Sequence, residues 1–270
     1  MIDGALPYLR CPVCEGTLAR GADRALRCAR GHSFDIARQG YANLTRGRMP
    51  HSGDSAEMID ARAAFLAAGH YGFIAAAVRA AVPPSGGPVL DAGTGTGWYL
   101  AAALDTLPGA VGLGIDVSKP ALRRAARAHP RAAAVLADLW QPLPLIDASF
   151  ALILNVFAPR NGPEFHRVLR PDGTLLVVTP AADHLRELVG AYDLIRVDPD
   201  KSGRVSQSLG GQFTAIGSTT YRSTLHLAGA EFRTLIGMTP SARHLDLDAL
   251  PPDGDVEVTA AVDLTTYRRA

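Results

Sequence analysis

Beyond residue 88 the chain is written in short apolar runs separated by stretches of helical period, each run ending at a polar or glycine-rich break. Residues 89–91 open the series and pass through Ala92-Gly93-Thr94-Gly95-Thr96-Gly97 into a helical stretch reaching about Leu107. Residues 110–116 read as a second strand, 121–128 as a helix, 134–139 as a third strand and 150–155 as a fourth, almost wholly apolar one. A short helix over 163–169, a turn at 170–173 and a fifth strand over 174–180 follow. Residues 185–194 have helical period, 220–227 read as a strand, and 256–265 partly alternate, as an antiparallel strand at the end of the sheet does. Apolar runs without alternation suit strands covered on both faces, and strand–helix alternation suits parallel crossovers. The pattern over 89–270 therefore predicts one α/β unit, a mostly parallel sheet with helices on both faces.

Residues 46–88 have a different texture. Arg46, Arg48, Pro50 and Gly53 mark a polar, exposed connection. Asp54 and Glu57, at capping-box spacing, open a helix reaching about Gly69. His70-Tyr71-Gly72 interrupts it, 73–82 resumes, and Pro83-Pro84-Ser85-Gly86-Gly87-Pro88 breaks the chain before the first strand.

All three cysteines fall in the first 28 residues, in the order Cys11-x2-Cys14-x13-Cys28-x3-His32. Four soft or borderline ligands at this spacing make a zinc site; a redox Cys-x-x-Cys would leave Cys28 and His32 unexplained. Because protein supplies every coordination position, the expected zinc is structural. Residues 1–45 are thus a small zinc-binding domain, 46–88 a linker with helices, and 89–270 the main domain. Charge sharpens the division. The whole chain carries a formal +1, but residues 1–50 hold eight arginines against four acids. A modestly basic head precedes a slightly acidic body. No amino-terminal run resembles a signal peptide and no stretch approaches membrane-spanning length, so the expectation is a cytoplasmic protein.

The turn after residue 91 carries the chemistry. A dinucleotide fingerprint needs Gly-x-Gly-x-x-Gly and a phosphate loop ends Gly-Lys-Ser/Thr, whereas here Gly93, Gly95 and Gly97 alternate and Trp98 follows. Asp91-x-Gly-x-Gly-x-Gly resembles the first motif of class I S-adenosylmethionine-dependent methyltransferases, which have a Rossmann-like fold. Asp116, ending the second strand, can accept from both hydroxyls of an adenosine ribose, while Asp138 and Leu139 are placed to meet the adenine. Asn155 stands at the carboxyl end of the fourth strand, where ligands of such sheets bind.

Val-Leu-Arg-Pro-Asp-Gly before the fifth strand resembles the late motif of the same methyltransferases. Read together, Cys-Pro-Val-Cys, Cys-Ala-Arg-Gly-His-Ser-Phe-Asp, Arg-Gln-Gly-Tyr-Ala-Asn-Leu, Gly-Asp-Ser-Ala-Glu-Met, Ala-Gly-His-Tyr, the glycine turn, Asp-Val-Ser-Lys-Pro and Asn-Val-Phe-Ala-Pro-Arg-Asn resemble the zinc-finger-bearing 23S rRNA (guanine-N1)-methyltransferases, some of which confer macrolide resistance. The resemblance implies that Tyr71, Gly97-Trp98 and His184 line the cofactor pocket. It also implies a homodimer acting on 23S rRNA or a ribosomal particle, with two fingers flanking an RNA cleft.

Guanine N1 becomes nucleophilic only as its proton leaves, and a carboxylate facing N1–H could accept it; Asp54 and Glu57 are candidates, and the sequence does not identify the base. No cysteine follows Cys28, against a covalent cytosine-C5 mechanism. A small-molecule methyltransferase or a non-catalytic RNA-binding protein are the competing classes. The first leaves the metal head without a task, and the second leaves the cofactor acids without one.

Overall fold

The computed structural model describes residues 2–47, 50–84, 86–191, 207–244 and 255–270; Arg48 of the connection and the end of the helix expected over 185–194 lie outside the described residues. In chain order, helix α1 (Ile2–Ala5) is followed by strands β1 (Leu18–Arg20), β2 (Ala25–Cys28), β3 (Ser33–Asp35) and β4 (Ala42–Asn43). Then come α2 (Ala56–Ala67), α3 (Gly72–Ala81), β5 (Val89–Ala92), α4 (Trp98–Asp105), β6 (Gly112–Asp116), α5 (Lys119–Ala125), β7 (Ala132–Leu136) and β8 (Phe150–Val156). The chain closes with α6 (Gly162–Val168), β9 (Leu169–Pro180), α7 (Arg186–Ala191), β10 (Phe213–Leu227), α8 (Gly229–Gly237) and β11 (Val256–Arg269).

Strands β1-β2-β3 form a small antiparallel sheet, and the other eight lie in the order β10-β11-β9-β8-β5-β6-β7-β4. Pairing is parallel from β9 to β4 and antiparallel where β11 joins β9 and β10. The order reverses at β5, which lies between β8 and β6, so a crevice opens at the strands' carboxyl ends there.

Side-chain alternation divides the sheet into two buried faces. Leu90, Ala92, Leu113, Ile115, Val135, Ile153 and Val177 point to one, where Phe165 of α6 packs with them. Val89, Leu152, Leu154, Leu176, Val178, Val258, Ala260 and Val262 point to the other, under Phe65, Ile74, Val78, Leu100 and Phe232 of α2, α3, α4 and α8.

The amino-terminal head does not stand apart from this core. Leu18, Leu26, Phe34 and Ile36 belong to the same buried cluster as Leu113, Ile115 and Val135. The Arg10 N–H donates to Pro144 O at 3.0 Å, and the Ile146 N–H donates to Tyr8 O at 3.0 Å. Within the segment expected as the 1–45 unit, Ala42 and Asn43 pair with Val135 and Leu136 of the large sheet.

Local chemistry differs from the sequence reading in three places. Ser55, not Asp54, caps α2, its hydroxyl accepting from the Met58 N–H at 3.3 Å, while Asp54 is drawn to Arg62 at 2.7 Å. The turn expected at 170–173 lies inside β9 as a bulge: the register passes from Phe150 opposite Leu169 to Leu152 opposite Thr174. Arg268 of β11 donates to the carbonyls of Asp172 and Gly173 there, so the bulge leaves them partnered. Helix α8 is not among the expected elements, although Phe232, Leu235 and Ile236 have its period and are all buried. The expected break at His70-Tyr71-Gly72 is a 78° bend between α2 and α3.

Candidate active site

Cys11 and Cys14 sit on a knuckle whose left-handed residue is Glu15 (φ 61°), while Gly31 (φ 84°) makes the second turn between Cys28 and His32. Cys11 Sγ and Cys28 Sγ lie 3.5 and 3.3 Å from His32 Nδ1, and Cys14 Sγ lies 3.6 Å from Cys28 Sγ. All four ligand atoms fall within 4.8 Å of one another. A zinc tetrahedron with bonds of about 2.3 Å to sulfur and about 2.0 Å to nitrogen has edges of roughly 3.5–3.8 Å, so the donor set fits zinc. Burial pushes the Cys28 thiol up, but the backbone N–H groups of His32 and Arg30, with the Cys14 and His32 side chains, bring it down to about 6. A thiol so placed is ready to ligate as thiolate.

A cleft of about 680 Å³ opens at the carboxyl ends of β5, β6 and β8. Tyr71, Asp91, Gly93, Gly95, Trp98, Asp116, Asp138, Leu139 and His184 all line it. The glycines take φ of 83°, 54° and 81° at 93, 95 and 97. Their reasons differ. A Cβ on Gly93 would collide with Ala158 Cβ, and one on Gly97 would stand 2.9 Å from Ala125 Cα, so these two allow close packing. Gly95 faces the cleft, with Arg62 Nη1 3.7 Å from its Cβ position.

Asp116 accepts from the Gly95 N–H and the Ser118 N–H, each at 2.8 Å, which fixes its carboxylate beside the glycine turn. Burial raises its pKa against those two N–H donors. Asp91 accepts from the Thr94 hydroxyl at 2.7 Å; burial carries its carboxyl up to about 7, with Thr94 opposing and Asp116 adding. Four carboxyl groups (Asp54, Asp91, Asp116, Asp138) and two guanidinium groups (Arg62, Arg160) line the cleft. That balance suits a ligand with net positive charge, as a sulfonium amino acid attached to a nucleoside has.

Known proteins share both halves of this arrangement. A profile described as "RlmA, N-terminal" matches residues 9–50, and one described as "Methyltransferase domain" matches residues 89–173. A Streptomyces fradiae protein named 23S rRNA (guanine(748)-N(1))-methyltransferase is 48% identical over 97% of this chain and 96% of its own. A Micromonospora griseorubida protein, provisionally assigned as a 23S rRNA (guanine-N(1)-)-methyltransferase, is 57% identical over 97% and 98%. The chain belongs to the 23S rRNA (guanine-N1)-methyltransferase family. A chain of a complex described as the Haloferax volcanii Trm112 methyltransferase activator with a methyltransferase shares the fold at TM-score 0.53 and 18% identity, covering 81% of this chain and 99% of that one.

As a family member the chain uses S-adenosylmethionine and a structural zinc, and the residues present fit both. Not every residue expected around the cofactor reaches the cleft. Asn155 is fully buried beneath it, donating to Ala92 O at 3.0 Å and Pro159 O at 2.8 Å, so it ties the loop after β8 to β5. Gly97 lies behind the turn against α5. Asp138 gives one oxygen to the Trp140 N–H at 3.0 Å and holds His51 Nδ1 at 2.7 Å with the other. His184 Nδ1 accepts from the Ala261 N–H at 3.1 Å, which leaves Nε2 facing the Tyr71 hydroxyl at 3.4 Å. Of the two candidate bases, Asp54 lines the cleft beside Arg62, whereas Glu57 lines a separate cavity with Met58 and Arg233.

Sequence reasoning missed Arg62, Thr94, Tyr99 and Arg160, which also line the cleft. The Tyr99 hydroxyl is buried and, among the described residues, without a hydrogen-bond partner. Its signal was positional: Tyr99 lies in the first turn of α4, directly after the glycine turn.

Proposed function

We propose that this chain transfers the methyl group of S-adenosylmethionine to N1 of a 23S rRNA guanine, at the position matching the guanine 748 named for the Streptomyces fradiae relative. The observation that carries the reading is the joining of a four-ligand zinc head to a methyltransferase cleft within one buried core. A small-molecule enzyme would share the cleft but leave the head without a task.

Bound in the cleft, the cofactor supplies an electrophilic methyl carbon on a sulfonium. Asp116, fixed by two backbone N–H groups, is the proposed acceptor for the ribose hydroxyls, and Gly95 leaves room for a close approach. Tyr71 and His184 brace the far side of the cleft. Guanine N1 must lose its proton as it attacks, to a carboxylate or to solvent, and Asp54 is the candidate that faces the cleft. Most of the rate then comes from holding N1 in line with the methyl carbon.

The head is the proposed docking surface. Arg24, Arg30 and Arg38 are exposed and have no ion pair among the described residues, whereas Arg10, Arg20 and Arg27 are paired with acids. Affinity for RNA resting on phosphate contacts should fall steeply with salt. A homodimer, a cytoplasmic location, a ribosomal particle as the substrate and macrolide resistance are further parts of this proposal; no single helix of the described residues is long and apolar enough to cross a membrane. Sedimentation and drug susceptibility test the dimer and the resistance.

Primer extension on 23S rRNA from cells with and without the gene tests the assignment, because an N1 methyl blocks Watson–Crick pairing. A gene-dependent stop at one guanine is expected. Full-length product in both samples would contradict it.

A further inference from the structure

Large apolar side chains are exposed at few places among the described residues, and three of them, Trp98 (36%), Trp140 (51%) and Phe157 (41%), line the cleft. Phe157 differs from the two tryptophans in its backbone. It has φ of 52°, a left-handed conformation that a bulky residue rarely adopts and that must be held by its surroundings. Its N–H donates to Val178 O at 3.0 Å, and the next residue, Ala158, packs against Gly93 of the ligand-binding turn. Asn155 clamps the same loop from below. The outcome is an aromatic ring held out toward solvent, with its centroid 6.4 Å from that of Tyr71 and 6.2 Å from that of His184.

Arg160 completes the arrangement three residues on. It lines the cleft, its Nη1 donates to Ala158 O at 3.2 Å, its Nε donates to Ser208 Oγ at 3.3 Å, and it has no carboxylate partner among the described residues. The other guanidinium of the cleft, Arg62, is already engaged by Asp54. A base that is to react at a ring nitrogen must leave its stack, and an exposed ring at the mouth of the cleft offers the surface it loses. A guanidinium can bond the O6 edge of guanine, the edge next to N1.

We propose that Phe157 is the stacking platform for the extruded guanine and that Arg160 contacts its O6. This rests on the rRNA reading above and names the residues that select the base. Both are recognition residues: stacking holds N1 toward the methyl donor, and the O6 contact sets guanine apart from purines that lack it.

The test is equilibrium binding of the full-length, zinc-loaded protein, saturated with S-adenosylhomocysteine, to a 23S hairpin carrying guanine, 2-aminopurine or an abasic site at the position of the primer-extension stop. Wild type should bind the guanine hairpin about tenfold or more tighter than the abasic one, from one stacked base. Phe157→Ala and Phe157→Leu should bring that ratio close to one without changing affinity for the abasic hairpin, and Phe157→Trp should keep it. Arg160→Gln should lose the preference for guanine over 2-aminopurine, which lacks O6. A wild-type ratio retained in both the alanine and leucine variants, or no ratio in wild type, overturns the stacking role; a guanine preference intact in Arg160→Gln overturns the O6 contact. Absence of any primer-extension stop is a different result, and it falls on the rRNA reading itself.

Discussion

The metal head and the cofactor cleft are both ligand sites, yet they are held together in opposite ways. The head has three short strands of three, four and three residues, and its four ligands run only from Cys11 to His32. Its apolar side chains share the buried cluster of the large sheet, but its two ligand-bearing turns have only the metal to tie them to each other. The cleft gathers residues from His51 to Ser241 at the edge of a sheet buried on both faces. Its frame should survive the loss of any one ligand-binding group. A site built by its ligand fails as a unit, whereas a site built on a packed sheet fails one contact at a time.

Removing a zinc ligand puts the greatest strain on this contrast. Cys28→Ser should abolish stoichiometric zinc, a site worth on the order of 10 kcal/mol in small zinc domains, and should strip hydrogen-exchange protection from the head while β5, β6 and β8 keep theirs. Equal loss in the large sheet would show that the head and the sheet fold as one unit, as their shared apolar cluster allows.

Next in size is the buried acid of the cleft. Asp91 titrates near 7 in the folded chain against an ordinary value of 3.8, so between those values the folded state holds more protons than the unfolded one. Its contribution to the stability of the cofactor-free protein is therefore greatest below about pH 4, falls as pH rises to about 7, and is level above, against the opposite contribution of carboxyls held low by their partners, such as Glu187 at about 2. The loss from this group approaches about 4 kcal/mol, at about 1.4 kcal/mol for each tenfold change in proton affinity. Denaturant titrations across that range should show this contribution as the pH-dependent difference between wild type and Asp91→Asn.

A smaller effect is expected at Asp116. Asp116→Asn keeps the shape but weakens acceptance from the ribose hydroxyls, and should lower cofactor affinity about 10- to 100-fold by calorimetry with zinc content unchanged. The smallest concerns the cap of α2: Ser55→Ala should cost about 1 kcal/mol in chemical unfolding, whereas Asp54→Asn leaves the cap in place.

The same contrast explains what could be read in the sequence. The ligands of the head are close along the chain, so their spacing already carried the geometry now seen for Cys11, Cys14, Cys28 and His32. The strands were legible because Phe150 and its neighbours form an unbroken apolar run. The cleft was legible where a strand ends, at Asp91, Asp116 and Asp138, because sheet topology brings strand ends together. Arg62 was not, since only the fold of α2 over the sheet brings it to Gly95. Asn155 misled because position at a strand end does not say which way a side chain turns; its amide is engaged by Ala92 and Pro159. The Asp54 cap misled because two acceptors stood side by side and Arg62 took one.

If one chain couples a metal-held RNA-docking head to a methyl-transfer cleft, then loss of the metal should disable transfer to RNA while leaving the cofactor site intact. Nucleoside mass spectrometry of 23S rRNA incubated with purified protein and S-adenosylmethionine reads this out. Wild-type protein should give 1-methylguanosine approaching one per 23S molecule, and Cys28→Ser far less although that variant still binds S-adenosylmethionine. No 1-methylguanosine with wild type, or undiminished methylation without the zinc, would contradict the coupling.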